Sequence, residues 1–86
     1  MNISIELTLT PLQDDFEAPI IAFINKLRKS DFTILENPLS TQIYGPYDEV
    51  MGFLQREIKD TFSLLDHVLI HLKMVKSDRS SYQPHD

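Results

Sequence analysis

A strict alternation of apolar and polar side chains near the start of the chain limits what this sequence can fold into. Between residues 3 and 9 the chain reads Ile3, Ser4, Ile5, Glu6, Leu7, Thr8 and Leu9. Successive side chains of a strand point to opposite faces of a sheet, so a period of two predicts a strand with one buried face. The chain must therefore build a sheet and cover its apolar face.

After the segment TPLQDD the apolar residues are spaced as on one face of a helix. This helix can cover the apolar face of the sheet. The apolar side chains of this first helix are Phe16, Ile20, Phe23, Ile24 and Leu27. They recur as one face of a helix does, and Asp14 or Asp15 is expected to cap its start.

A second helix is predicted after Gly45-Pro46, with Asp48 or Glu49 placing negative charge at its start. Its apolar line is Val50, Leu54, Ile58, Phe62 and Leu65. Gly52 lies inside this helix and costs about 1 kcal/mol relative to alanine, so we expect another group to approach closely there.

Three further strands are predicted, over residues 32 to 36, 40 to 45 and 67 to 75. The turn Asn37-Pro38 joins the first two into a hairpin. In the last strand the expected buried set is Val68, Ile70, Leu72 and Met74. Residues 76 to 86 are polar and without period, so we interpret them as a flexible tail.

The order strand, helix, strand, strand, helix, strand predicts an α+β fold. Right-handed crossovers favour a ferredoxin-like βαββαβ sandwich, a four-stranded antiparallel sheet with both helices on one face. With 86 residues the chain is one domain, which we place at residues 1 to 75.

Charge and composition exclude several partners. A net charge of -5 provides no basic footprint for phosphates, so we expect no nucleic-acid partner. No stretch approaches the ~20 apolar residues that span a bilayer, and the N-terminus lacks a basic start, so we predict no membrane partner and a cytoplasmic location. The absence of cysteine removes thiolate catalysis and cysteine-type zinc sites.

The sequence contains no convincing catalytic or metal-binding pattern. His67 and His71 share a strand face about 13 Å apart, too far to share a metal ion. If the first and last strands are neighbours, His71 is expected opposite Glu6 as a simple cross-strand pair. No serine lies in a glycine-flanked elbow and two glycines cannot form a phosphate loop, so we predict no enzyme and no cofactor.

The sheet face away from the helices is mixed in polarity. It is expected to show Ser4, Glu6, Thr8, His67, Leu69, His71 and Lys73, with either Thr41 and Ile43 or the set Ser40, Gln42 and Tyr44. Both a solvated surface and a contact or ligand surface fit this composition. RNA-recognition domains share the fold, but Tyr44 alone does not supply their aromatic platform.

Two segments, ISIELTLTPLQDD and ENPLSTQIYGPYDEVM, resemble the YkoF-like thiamine-binding family in its short single-domain branch, over residues 2 to about 75. The resemblance implies a ferredoxin-like domain that assembles into dimers or tetramers. It also implies binding of thiamine mainly through the aminopyrimidine half. Relatives carry two tandem copies, so the oligomer of this single copy would have to supply what the second copy supplies there.

For such a ligand we expect a mostly apolar slot with a few hydroxyl, amide or carboxylate groups. The candidate ligand-binding residues are Glu6, Thr8, Thr10, Asn37, Ser40, Thr41, Gln42, Tyr44 and Asp48. We expect the strand ends to converge because the two central strands run parallel, and Tyr44 or Tyr47 to stack on the ring.

Structural roles stand as alternatives for several of these residues. Asn37 and Ser40 are equally suited to tying the hairpin turn, and Asp48 to starting a helix. Gly45 is expected to serve backbone conformation. The second functional hypothesis is a ligand-free assembly or regulatory module, in which residues 37 to 48 shape an oligomer interface.

Overall fold

The computed structural model describes residues 1–82 and contains the predicted order of elements. The strands are β1 (Asn2–Pro11), β2 (Thr33–Asn37), β3 (Ser40–Pro46) and β4 (Val68–Lys76). The helices are α1 (Glu17–Arg28) and α2 (Tyr47–Leu64). Residues 83 to 86 of the predicted tail lie outside the described residues, and the division between domain and tail stays a prediction.

The strands form one sheet in the order β2-β3-β1-β4, and every neighbouring pair is antiparallel. This confirms the ferredoxin-like α+β fold. The predicted parallel arrangement of the central strands is wrong, because the α1 crossover returns the chain parallel to β1 in β2 and the hairpin then reverses β3. The register places Ile5 between Ile43 and Met74.

The alternating face of β1 forms the centre of the core, as predicted. Ile3, Ile5 and Leu7 are at most 2% exposed. The other buried apolar side chains are Leu9, Phe23, Leu27, Ile43, Val50 and Leu54. Burial of this cluster between the helices and the sheet is the main source of stability in a domain of this size.

The sequence patterns misplaced some helix positions. In α2, Phe62 is 44% exposed and Thr61 is buried. A line of residues spaced by four drifts about 40° around a helix at each step, because a turn contains only 3.6 residues. Phe62, three such steps after Val50, has therefore rotated away from the core, and Thr61, one position earlier, faces the core instead. In α1 the first helical residue is Glu17 and no side chain caps the start, so the predicted aspartate cap is wrong.

The predicted buried set of β4 has the correct phase but incomplete burial. Leu72 and Met74 pair with the core residues Leu7 and Ile5, yet both are 40% exposed. β4 is an edge strand, and this part of it lies beyond the cover that the helices provide.

The two glycines have roles opposite to those predicted. A Cβ atom at Gly45 would lie 2.8 Å from Cδ1 of Phe32 and 3.0 Å from Cγ2 of Val50. Neither glycine has a positive φ, so Gly45 is required by space and not by backbone conformation. At Gly52 the nearest atom to such a Cβ is Nη1 of Arg56, at 3.7 Å, so the predicted close approach is absent there.

The two Gly→Ala substitutions are therefore expected to change the free energy of unfolding in opposite directions. Gly45→Ala should lower it by about 1–3 kcal/mol, because the Phe32 ring must move and that ring packs edge-on against Phe53. Gly52→Ala should raise it by about 0.5–1 kcal/mol, because alanine restricts the unfolded chain and favours helix. Urea denaturation followed by circular dichroism measures both, and shifts of the same sign would contradict this assignment.

A bidentate ion pair joins the end of α1 to β2. Arg28 donates from Nε and Nη2 to the two carboxylate oxygens of Glu36, each at 2.7 Å, and from Nη1 to Oδ1 of Asn25 at 3.0 Å. Hydrogen bonding from Arg28 lowers the pKa of the Glu36 carboxyl. The pair links the last turn of α1 to β2 at the protein surface, where solvent weakens such pairs.

Candidate ligand-binding site

Cross-strand register arranges the open face of the sheet in rows. One row runs Leu35, Gln42, Glu6, Lys73 from β2 to β4, and the next runs Thr33, Tyr44, Ser4, Val75. Of the two alternatives for β3, the structure selects the set Ser40, Gln42 and Tyr44 for this face, because Ile43 is buried beneath the helices.

These rows form the floor of a hollow of about 340 Å³, which we term the open-face pocket. Its wall includes residues that follow β4. The lining residues are Ser4, Ile5, Glu6, Leu35, Gln42, Tyr44, Lys73, Val75, Arg79, Ser80 and Tyr82. The volume falls at the lower end of the range of about 300–1,000 Å³ that is usual for small-molecule sites.

Hydrogen bonds fix the polar groups of the open-face pocket. The Tyr44 hydroxyl donates to Oε1 of Gln42 at 2.7 Å. Burial, followed by the negative charges of Asp78 and Glu6, raises the pKa of Tyr44. Since the Gln42 oxygen is held by this bond, its amide nitrogen keeps its donors for another group.

Glu6 lies at the centre of the floor with one neighbour on each side. Its Oε2 accepts from the Ser40 hydroxyl at 3.0 Å, and its Oε1 lies 3.9 Å from Nζ of Lys73. The carboxylate retains acceptor capacity, because ionised oxygens offer about four lone-pair sites. The predicted pairing of Glu6 with His71 is wrong, since the register places His71 opposite Thr8 and Lys73 opposite Glu6.

A second, smaller hollow of about 200 Å³ lies at the hairpin end, between the hairpin and α1. Thr8, Asn37, Ser40 and Thr41 line it together with apolar core residues. Oδ1 of Asn37 accepts from the backbone N–H groups of Leu39 and Ser40, at 2.8 and 3.0 Å. These bonds support the turn-tying alternative for Asn37, and the volume of this hollow is below the usual range for a ligand site.

The predicted site residues therefore divide into groups. The open-face pocket brings together Glu6, Gln42 and Tyr44. The strand end beside the hairpin holds four more, Thr8, Asn37, Ser40 and Thr41. They come together because β1 and β3 are antiparallel, so the end of β1 lies beside the start of β3, with Leu7 opposite Thr41.

Asp48 and Thr10 lie outside both linings. Asp48 is in the first turn of α2, which begins at the far end of β3, and Tyr47 donates its N–H to the carbonyl of Met1 there. A strand of seven residues separates this end from Ser40, or about 20 Å at the usual rise. Thr10 lies opposite Leu69 near the end of β1.

The sequence analysis missed Ser4 and the residues after β4 as parts of the site. The Ser4 hydroxyl is buried and donates to the carbonyl of Ser77 at 2.8 Å. Arg79, Ser80 and Tyr82 belong to the segment interpreted as a tail. The one usable signal was the alternation of the last strand, which continues to Lys76 and carries the chain back beside Ser4.

Two further properties bear on the range of ligands. Within residues 1–82, no group of three or more histidine, aspartate or glutamate side chains is arranged to hold a metal ion. In the same part of the chain, none of the helices has the length and apolar character needed to cross a membrane.

Comparison with known proteins gives structural matches. No family model matches the chain, and no curated protein matches it significantly. A protein from Streptococcus pneumoniae is 28% identical with a TM-score of 0.83, covering 94% of this chain and 92% of that one. A Thermotoga maritima protein with a proposed role in thiamine biosynthesis or salvage is 14% identical with a TM-score of 0.80, covering 90% and 85%.

A domain of unknown function from Bacillus cereus, DUF77, is 11% identical with a TM-score of 0.73, covering 90% of this chain and 77% of that one. At these identities the Thermotoga and Bacillus matches establish shape alone. The chain thus has the same ferredoxin-like fold as these proteins over nearly its whole length.

Proposed function

We propose that this protein binds a small molecule without transforming it, as a member of the YkoF-like thiamine-binding type, and that the ligand is thiamine or a related aminopyrimidine. The observation that carries the proposal is the convergence of Glu6, Gln42 and Tyr44 on the open-face pocket. The likeness in fold to the Thermotoga thiamine biosynthesis or salvage protein supports the choice of ligand.

The polar groups of the pocket complement the edge of an aminopyrimidine. That edge presents an exocyclic amine, which donates, beside a ring nitrogen, which accepts. The Gln42 side chain has the matching pair, since its nitrogen donates and its oxygen retains a second lone pair beside the Tyr44 bond. Glu6 can accept the second amine hydrogen, and Leu35 and Val75 supply apolar surface for the ring.

The charge of the chain also suits thiamine. Thiamine carries a positive thiazolium ring, and the chain has a net charge of -5. Inside the pocket, Glu6 is balanced by Lys73, 3.9 Å away, and by Arg79 in the lining, so the attraction for the thiazolium comes from the whole chain and the neutral aminopyrimidine is the half that the pocket itself suits.

Isothermal titration calorimetry tests the proposal. We expect heat of binding with thiamine and with 4-amino-5-hydroxymethyl-2-methylpyrimidine, and a much weaker response to the same pyrimidine with hydrogen in place of the amine. A folded protein that gives no heat with the two amines at millimolar concentration would overturn the proposal.

The edge strand β4 favours a homo-oligomer and also supports the second candidate function, a ligand-free assembly module. Its outer edge has no partner strand within residues 1–82. Its apolar side chains Leu69, Leu72, Met74 and Val75 are 38 to 45% exposed. A free edge with apolar side chains is a template for pairing with another chain, and a closed dimer uses the same strand from each copy.

Replacing Leu72 by lysine is expected to shift the mass in solution from a multiple of 10.0 kDa towards the single chain, because a charge on an edge strand opposes pairing. Sedimentation equilibrium measures this mass. Leu39→Lys is the matched control, since Leu39 lies in the hairpin turn and is 86% exposed. A wild-type mass of 10.0 kDa would contradict the proposed oligomer. A stable oligomer that gives no heat of binding with either ligand would favour the assembly module.

A further inference from the structure

The chain reverses direction directly after β4 and returns over the open face. Ser77 has φ of 87°, in the left-handed region that non-glycine residues seldom adopt. Its N–H donates to the carbonyl of Asn2 at 2.8 Å, which continues the pairing with β1 for one more residue. The left-handed conformation then turns the following residues away from the edge and towards the sheet.

A buried serine holds this reversal in place. The Ser4 hydroxyl donates to the carbonyl of Ser77 and accepts from the N–H of Arg79, both at 2.8 Å. Ser4 is 7% exposed, so both bonds are shielded from water, which would otherwise compete for them. One side chain in the sheet floor therefore satisfies two backbone groups of the returning segment.

Local hydrogen bonds shape the rest of the segment. Asp78 accepts the N–H of Ser80 at 2.8 Å, and hydrogen bonding from Ser80 lowers the pKa of Asp78. Arg79 donates from Nε to the Ser77 hydroxyl at 3.1 Å, and the N–H of Tyr82 donates to the carbonyl of Arg79 at 3.1 Å. These bonds place Tyr82 at the rim of the open-face pocket.

Tyr82 is the aromatic side chain best placed for a flat ligand. Tyr44 lies in the floor with its hydroxyl bonded to Gln42, and Tyr47 lies at the other end of β3. Tyr82 lines the pocket and is 70% exposed, so much of its ring surface is open to a ligand.

We propose that residues 77 to 82 form a strap across the open-face pocket and that the Tyr82 ring stacks on the bound pyrimidine. This inference rests on the proposed function. It identifies Arg79, Ser80 and Tyr82 as the residues that complete the wall of the open-face pocket. Stacking of a nucleobase-like ring on an aromatic side chain strengthens binding by about 5- to 150-fold. Ser4 acts through the strap, as a positioning residue.

Calorimetry with 4-amino-5-hydroxymethyl-2-methylpyrimidine and three variants tests the stacking role. Tyr82→Ala should weaken binding by about 5- to 150-fold. Tyr82→Phe should bind close to wild type, because the ring is retained. Tyr47→Ala is the matched control, an exposed tyrosine outside the pocket lining, and should bind as wild type does. Wild-type affinity in Tyr82→Ala would overturn the inference and leave the proposed function intact.

Hydrogen exchange without ligand tests the anchor separately. The Arg79 amide should exchange slowly in the wild type and at least about tenfold faster in Ser4→Ala, because its acceptor is removed. Ser63→Ala, an exposed serine hydroxyl on α2, should leave this rate unchanged. A fast-exchanging Arg79 amide in the wild type would overturn the strap. A slow amide combined with no pyrimidine binding would overturn the proposed function and, with it, the stacking role of Tyr82.

Discussion

Truncation of Leu27 to alanine is expected to lower the free energy of unfolding by about 2–5 kcal/mol. Leu27 is fully buried in the last turn of α1 and belongs to the core cluster with Ile5, Ile43 and Leu54. The substitution removes apolar contacts and leaves a cavity that the rigid sheet beneath cannot fill. Domains have a total stability of about 5–15 kcal/mol, so this loss is a large fraction of it.

Urea denaturation followed by circular dichroism measures this change, and Leu39→Ala provides a control of the same residue type. Leu39 is 86% exposed at the hairpin turn, so its truncation should change the free energy by no more than about 0.5 kcal/mol. Equal denaturation midpoints for the two variants would contradict the placement of Leu27 in the core.

The fold was predictable because the local patterns agree with it. The alternation in β1 fixed both the strand and its buried face, and four successive apolar positions from Ile3 to Leu9 are buried. Periodicity reports the phase of an element and carries no information on how much of it a neighbour covers. Leu72 and Met74 therefore have the predicted phase and are still 40% exposed.

The site was predictable only where it follows from strand phase. Glu6 was placed on the open face by the alternation of β1, whereas the phase of β3 was decided by burial of Ile43. Gln42 and Tyr44 then face the pocket together. Asp48 was grouped with them because it is near in sequence, but β3 carries the chain to the opposite end of the sheet before α2 begins.

The strap could not be predicted from sequence because its defining contacts are long-range. Ser4 and Arg79 are 75 residues apart along the chain, and no local pattern relates them. A short polar segment is normally mobile, which was the basis for the tail interpretation. Here the buried Ser4 hydroxyl makes two hydrogen bonds to the backbone of this segment, and these bonds define the position of the segment.

Replacement of Gln42 by leucine is expected to have the largest effect on ligand binding. Leucine has nearly the same size but cannot donate or accept, so the amine and ring nitrogen of a bound aminopyrimidine would lose two partners. An unsatisfied buried polar group costs about 1–3 kcal/mol. Because two partners are lost, binding should weaken by about 2 kcal/mol or more, which raises the dissociation constant at least about 30-fold. Gln42 also holds the Tyr44 hydroxyl at 2.7 Å, and this partner is lost as well.

Gln55→Leu is the matched control for this substitution. Gln55 is exposed on α2, on the other side of the sheet from the open-face pocket, so the same change in chemistry should leave the affinity unaltered. Calorimetry with thiamine and with 4-amino-5-hydroxymethyl-2-methylpyrimidine compares both variants with the wild type at temperatures where circular dichroism shows them folded. If Gln42→Leu binds the pyrimidine as tightly as Gln55→Leu does, the ligand lies elsewhere, and the hollow at the hairpin end, lined by Thr8 and Thr41, becomes the site to test.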